Sequence, residues 1–392
     1  MRTCNICNSE DYEGIHKIMM ELPMNHPLRN AAKEFEIVRC KECGFCYASI
    51  SANQLEYDKY YSEYNNYSEI TSKKVESDQM TEDILDLIKT DTNESSRILD
   101  IGSGSGKLLL ELQKRNYVNL CGIDTTEDNL KVLKEAGIST KLGSIYNIVD
   151  ATEKFDLVCL NAVLEHLLFP QTAVENMKQY LTPEGKIVVT VPNVKKFPKL
   201  SSNITHHFNY EHINYFSLES LDNLFRKNGM IRVDFREINF ESDVEDLLTA
   251  VYKLGEVSDS ALITDVQSGK AITRMLEQSI IEEKIRKERI EDFLREDKDV
   301  ILWGVGAKCF ELIRKYPDIA NRTVALVDSG KNKQGQNIQI NDNMVLTVIS
   351  PEKFFEMSIK GTIVICVSAL KYREDILELI NSYGIKNEVK VL

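Results

Sequence analysis

Residues 97–115, "RILDIGSGSGKLLLELQKR", set a short apolar run against three glycines at alternate positions and then an amphipathic stretch. That order predicts a strand, a tight turn and a helix. Gly102, Gly104 and Gly106 leave the turn without side chains, so backbone amides at a helix N-terminus can approach a ligand closely. The chain continues through "LCGIDTTEDNL", where Asp124 ends a second strand at the place from which an acid grips a ribose diol. "KFDLVCLNAVLEHLLFP", "QTAVENMKQYL" and "TPEGKIVVTVPN" then repeat strand, loop, helix and strand. Alternation of this kind predicts an α/β fold built on a doubly wound, mainly parallel sheet. The glycine spacing is GxGxG, preceded by Asp100, and lacks the third glycine of a dinucleotide turn.

Ahead of this segment, Cys4-x-x-Cys7 and Cys40-x-x-Cys43 supply two thiolate pairs on tight turns, enough for a tetrahedral zinc site. Four cysteines close the coordination shell, so the expected role of Zn2+ is structural. Cys46 would be a fifth thiolate and is read as a small apolar residue entering a strand. With 48 Lys and Arg against 61 Asp and Glu, the net charge of −13 disfavours a nucleic-acid partner and leaves open a small anionic ligand. "MRTCNICNSE" has no apolar secretion-signal stretch, and the apolar-rich run "TIVICVSAL" is too short to span a bilayer. The expectation is a cytoplasmic protein with no membrane partner, whose nine cysteines stay reduced.

Two polar clusters stand out. "YDKYYSEYNNY", residues 57–67, carries five of the 16 tyrosines, and Tyr64 or Tyr67 could close a phenol over a substrate. "HHFNYEHINYFS" gathers three of the six histidines, His206, His207 and His212, among Tyr210, Glu211 and Tyr215. Residues 241–298 are charged and read as a helical bridge, with "QSIIEEKIRKERIEDFLRE" at helical spacing. "DVILWGVGAKCFELIRKY", "TVALVDS", "TIVICVSAL" and "EVKVL" then predict a second, smaller open sheet with a turn at Gly304 and Gly306. The expected domains are 1–72, zinc-binding with a tyrosine-rich arm; 73–240, the glycine-turn domain; 241–298, the bridge; and 299–392, a Rossmann-like domain.

"ILDIGSGSG", Asp124 and "FDLVCLNAVLEHL" resemble the class I S-adenosylmethionine-dependent methyltransferases. The resemblance implies Gly102, Gly104 and Gly106 around the methionine moiety with Asp100 and Asn161 beside it. It further implies Asp124 on the ribose and Gly143 and Ser144 near the adenine. Over the whole chain, "PMNHPL", "EHINYFSLESL" and "VDSGKNKQG" resemble the three-domain zinc-containing nucleotide-sugar C-methyltransferases of deoxysugar pathways, such as the tetronitrose and mycarose enzymes. This second resemblance implies a nucleotide-linked keto sugar as acceptor, bound partly by the C-terminal domain, and a monomer or homodimer. It also implies His212 as the base removing a proton beside a ketone, with Glu211 next to it. Carbon attacks a sulfonium methyl only once it has become an enolate, and imidazole, with a pKa of about 6.5, suits that proton transfer. Tyr210, Tyr215 or a phenol of the N-terminal arm would polarise the ketone oxygen. An O- or N-methyltransferase on a related metabolite is the alternative. The chain departs from this family at Gly104, where an Asn-Asp is usual, at Glu165, where alanine is typical, and at Asn209, where a tyrosine is expected.

Overall fold

The computed structural model describes residues 2–20, 22, 24–64, 79–147, 152–240, 245–257, 261–367 and 370–391. The chain forms two compact units, residues 1–240 with 245–278, and residues 279–392 with 241–244.

The first unit holds two sheets. In the smaller, β1 (Tyr12–Met19), β2 (Glu34–Cys40) and β3 (Cys46–Ala48) run antiparallel, and a two-residue strand from far along the chain, β9 (Asn214–Tyr215), completes the order β1-β2-β3-β9. Cys46 stands opposite Tyr215 and Tyr47 opposite Asn214. This pairing is why the expected segments 1–72 and 73–240 gather into one unit: the histidine-rich segment supplies an edge strand to the cysteine-bearing sheet.

The larger sheet comprises β4 (Arg97–Ile101), β5 (Asn119–Asp124), β6 (Ser139–Leu142), β7 (Phe155–Asn161), β8 (Leu181–Pro192), β10 (Met230–Ile238) and β11 (Leu247–Leu254), in the order β10-β11-β8-β7-β4-β5-β6. β4 pairs in parallel with both β5 and β7, and the parallel run extends through β6 and β8. β11 and β10 close one edge antiparallel. Strand order reverses at β4, so a crevice opens at the carboxyl ends of β4, β5 and β7, where open α/β sheets bind ligands. Ile98, Leu99, Val158, Leu160, Val188 and Val189 bury both faces of the central strands, as parallel strands covered by helices require.

Residues 241–298, expected as a helical bridge, hold both a strand and a helix. Leu247–Leu254, "LLTAVYKL", is a strand with five consecutive buried residues, and the helix occupies Ser268–Leu294. A short apolar run buried on both faces does not declare its period in the sequence.

The second unit is a six-stranded sheet of β12 (Val300–Trp303), β13 (Thr323–Val327), β14 (Asn337–Asn341), β15 (Met344–Ile349), β16 (Thr362–Ile365) and β17 (Val389–Lys390), ordered β14-β15-β13-β12-β16-β17. All of its pairings are parallel except β14 with β15, matching the smaller open sheet read from the sequence. Trp303 is fully buried against Phe354. Asp328, at the end of β13, accepts a hydrogen bond from the Val305 amide at 2.7 Å and pairs with Lys333 at 3.0 Å. Among the described residues, no helix is long and apolar enough to cross a membrane.

Candidate functional site

A cavity of about 860 Å³ occupies the crevice of the larger sheet. Its floor is the turn after β4: Gly102 and Gly104 adopt φ of +72° and +51°, and a Cβ on Gly104 would project into open space with nothing within 4 Å. Gly106 is different. It is not among the lining residues, and a Cβ there would run into the Leu133 side chain at 2.3 Å. Its bare Cα leaves room for the Leu133 side chain, a packing role beside the one the resemblance implies for all three glycines.

Asp124 ends β5 at the cavity wall. Its Oδ2 accepts from the Gly104 amide at 2.9 Å, and its Oδ1 accepts from Asn129 Nδ2 at 2.9 Å and the Thr126 amide at 3.2 Å. The carboxylate thus fixes the glycine turn while facing the crevice. Asp100 and Asn161 line the same space, joined by a 3.4 Å hydrogen bond from Asn161 Nδ2, and Thr190 Oγ1 donates to Asn161 Oδ1 at 3.0 Å. Burial pushes the Asp100 carboxyl up to about 7, opposed by the Asn161 hydrogen bond and assisted by the charge of Asp124. Gly143 and Ser144 also line the cavity, with Asn147 Oδ1 accepting from the Ser144 amide at 2.7 Å. Asn129, Tyr146 and Asn147 carry no mark in the sequence that singles them out as lining residues. Asn129 was within reach, since a polar residue one turn into the helix after Asp124 points back to that strand end.

The opposite wall comes from the N-terminal arm. Asn53 caps the helix Gln54–Lys59 in a capping box with Glu56, and a wider helical turn follows over Tyr60–Tyr64. Tyr57 and Tyr61 line the cavity. Tyr64 ends the turn, and Tyr67 lies outside the described residues. Among the described residues the arm's cavity phenols are Tyr57 and Tyr61, with Tyr60 packed against Tyr61. Tyr57 Oη donates to the Tyr210 carbonyl at 2.8 Å and Tyr60 Oη to Glu211 Oε1 at 2.5 Å. Burial, reinforced by Glu211, holds the Tyr60 phenol well above its usual range. His26, from "PMNHPL", packs against Tyr60 and Tyr210 with ring centroids 5.2 and 5.0 Å apart.

His166, on the short turn Leu164–His166, reaches the cavity, whereas Tyr210, Glu211 and His212 form the layer behind it. The His166 and His212 rings meet edge to face at 4.8 Å. His166 Nδ1 lies 3.0 Å from the Glu211 carbonyl; a carbonyl only accepts, so Nδ1 carries the hydrogen and Nε2 is the nitrogen left to take a proton. Burial lowers the His166 pKa to about 4. Asn209 Oδ1 accepts from the Glu211 and His212 amides at 2.7 and 2.9 Å, shaping the loop that carries both. His207 pairs with Glu245 at 2.7 Å. Tyr215 does not face the cavity. Its ring is 2% exposed, packed against Phe197 and Phe208, and its hydroxyl finds no hydrogen-bond partner among the described residues. A strand pairing turned it into the core, so the expectation of Tyr215 as a ketone-polarising phenol is not met.

The four cysteines meet as the spacing requires. Cys4, Cys7, Cys40 and Cys43 place their sulfurs within 4.8 Å of one another, with Cys4 to Cys43 at 3.6 Å and Cys7 to Cys40 at 3.4 Å. A tetrahedral ion with bonds of about 2.3 Å holds thiolates about 3.8 Å apart, so the cluster is compatible with a zinc domain. Cys46 points away, its sulfur 3.6 Å from the Gly44 carbonyl and its thiol pushed well up by burial.

The mainly parallel sheet with its glycine turn and strand-ending acid is the class I methyltransferase fold, and a family model agrees. Residues 74–230 match the family model of a methyltransferase domain. The mitochondrial ubiquinone biosynthesis O-methyltransferase of Bos taurus is 27% identical over an alignment of 152 residues that covers 34% of this chain and 41% of that protein. The ubiquinone biosynthesis O-methyltransferase of Azorhizobium caulinodans is 33% identical over an alignment of 109 residues that covers 26% of this chain and 43% of that protein. The chain thus spans less than half the length of these relatives. Among solved structures, magnesium protoporphyrin IX methyltransferase from Synechocystis PCC 6803, with bound SAH, aligns over 51% of this chain and 99% of that one, at 12% identity and a TM-score of 0.41. Residues 74–230 of the protein thus match a methyltransferase domain.

Proposed function

We propose that the protein methylates the carbon beside the ketone of a nucleotide-linked keto-deoxysugar, using S-adenosylmethionine as donor and zinc as a structural ion on Cys4, Cys7, Cys40 and Cys43. The donor supplies an electrophilic methyl group. Gly102 and Gly104 cradle its amino-acid end beside Asp100 and Asn161, Asp124 takes the ribose hydroxyls, and the adenine lies toward Gly143, Ser144 and Asn147.

The observation that carries base-assisted transfer is the His166–His212 pair at the cavity end. His166 lines the wall with its Nε2 3.8 Å from Glu165 Oε1, and His212 stands against it to share the proton removed from carbon. Glu211 holds His166 through its carbonyl and Tyr60 through its carboxylate. Tyr61, which lines the cavity with its ring 6.2 Å from that of His166, is the phenol that donates to the developing enolate oxygen. Carbon rather than oxygen as the nucleophile rests on the whole-chain resemblance to the nucleotide-sugar C-methyltransferases.

A second reading is favoured by the relatives, which are O-methyltransferases of ubiquinone biosynthesis. There the acceptor is a hydroxyl, and His166 takes its proton directly. Proton NMR of the product separates the two, since only O-methylation adds a methoxy signal.

The decisive experiment incubates the enzyme with a nucleotide-linked keto-deoxysugar in heavy water, with S-adenosylhomocysteine in place of the donor. Deuterium should enter the position beside the ketone, and His166→Ala and His212→Ala should each slow that entry by roughly a hundred- to ten-thousandfold. Exchange at the parent rate in both variants would remove the pair as the base.

A further inference from the structure

Asn214 sits on β9, the strand that the histidine-rich segment lends to the cysteine-bearing sheet, opposite Tyr47. It is 2% exposed. Its Nδ2 lies 2.7 Å from the Leu167 carbonyl, 3.2 Å from that of Leu164 and 3.3 Å from that of Glu165. Both amide hydrogens are therefore committed to the single turn that carries His166. The Ile213 amide adds a fourth tie, to the Glu165 carbonyl at 3.0 Å. On its other side, Asn214 Oδ1 accepts from the Arg2 guanidinium, whose Nε and Nη1 have no hydrogen-bond partner among the described residues. Arg2 in turn stands over the Tyr47 ring.

The turn needs this help. Within it, the His166 amide bonds the Val163 carbonyl and the Leu167 amide the Leu164 carbonyl, and so short a helical piece leaves most of its carbonyls without internal partners. In a buried place such groups must find donors elsewhere. Asn214 is the side chain that supplies them.

We propose that Asn214 is a positioning residue for His166, a polar peg that joins the cysteine-bearing sheet to the turn holding the cavity imidazole. Assembly of the four-cysteine site and placement of His166 then become one event, and the N-terminal sheet has a part in catalysis as well as in stability. The inference rests on the reading of His166 as the base at the cavity wall. Asn214→Asp is the informative change, because aspartate keeps the shape and still accepts from Arg2 but offers the three carbonyls no donor.

The test uses the full chain with its histidines labelled with nitrogen-15, and reads ring tautomers from long-range proton–nitrogen spectra, with His166→Gln to assign the His166 signals. The parent should hold His166 in the Nδ1–H form set by the Glu211 carbonyl. In Asn214→Asp and Asn214→Ala that signature should give way to mixed tautomers, while S-adenosylmethionine affinity by calorimetry stays within about twofold, because the donor loop is built on other strands. A variant that melts earlier yet keeps the Nδ1–H signature would overturn the proposal, leaving Asn214 a purely structural residue. If neither variant folds, the parent decides the matter by stepwise metal removal with a thiol reagent and chelator. The His166 signature should disappear together with metal release while the amide signals of residues 102–105 persist. Survival of the signature after release, or loss of both sets together, would overturn it. No acceptor is needed, so the outcome is independent of the exchange experiment on His166 and His212.

Discussion

Glu165→Gln isolates the free energy of one buried carboxyl. Glu165 is 2% exposed, and its Oε2 meets no hydrogen-bond donor among the described residues. Burial pushes its pKa from 4.5 up to about 8, opposed by its own backbone amide and assisted by the charge of Glu245. The folded protein therefore keeps a proton that the unfolded chain releases. Because the folded pKa is the raised one, the stabilising contribution is fully present below 4.5 and is lost as pH rises through about 8. One pKa unit corresponds to about 1.4 kcal/mol, so the parent should lose about 4 kcal/mol of stability between pH 5 and pH 9 relative to the glutamine variant. Asp100, also held high by burial, and His166, held low, titrate in both proteins, so the difference between the two curves is the quantity to read. Urea unfolding followed by circular dichroism at pH 5, 7 and 9 gives that difference directly. The variant should match the parent near pH 5 and exceed it progressively from there to about pH 8, with more than half of the difference in place by pH 7. Parallel curves across the whole range would mean that the carboxyl is paired or hydrated, and the burial argument would fail.

Metal analysis of freshly prepared protein should find about one zinc per chain, and Cys4→Ser or Cys40→Ser should lower the melting temperature far more than they alter donor binding; active protein without zinc would refute this. Asp124→Ala should weaken S-adenosylmethionine binding at least about tenfold, since each charge-assisted hydrogen bond from a ribose hydroxyl contributes about 1.5 to 3 kcal/mol. Gly104→Val should abolish binding, because the added side chain enters open cavity space and sits at a left-handed φ. Unchanged calorimetric affinity in both variants would move the donor site elsewhere.

The local patterns of this chain were legible because their physics is local. Two CxxC pairs need only tight turns to aim their thiolates, and the four sulfurs do converge. A strand, a glycine turn and a strand-ending acid sit within one supersecondary unit, and Gly102, Gly104, Asp100 and Asp124 do line a common cavity. The alternating strands and helices announced both open sheets, since apolar periodicity reflects which face is buried.

What only the tertiary structure decided depends on pairings between residues far apart in the chain. Tyr210, Tyr215 and His212 look alike in sequence as polar residues of one segment, but the pairing of β9 with β3 turns Tyr215 into the core and sets His212 behind His166. His166 carried no local mark that set it above the other histidines, and its role at the cavity wall depends on the Glu211 carbonyl 45 residues away. Asn214 and Arg2 read as ordinary polar residues until folding brings them together across 212 positions. Leu247–Leu254 became an inner strand of the larger sheet rather than part of a helix because it pairs antiparallel with β8 on one side and β10 on the other. Spacing along the chain encodes turns and ligand sets, whereas which side chain faces the cavity is settled by long-range register, and register is a property of the assembled sheet.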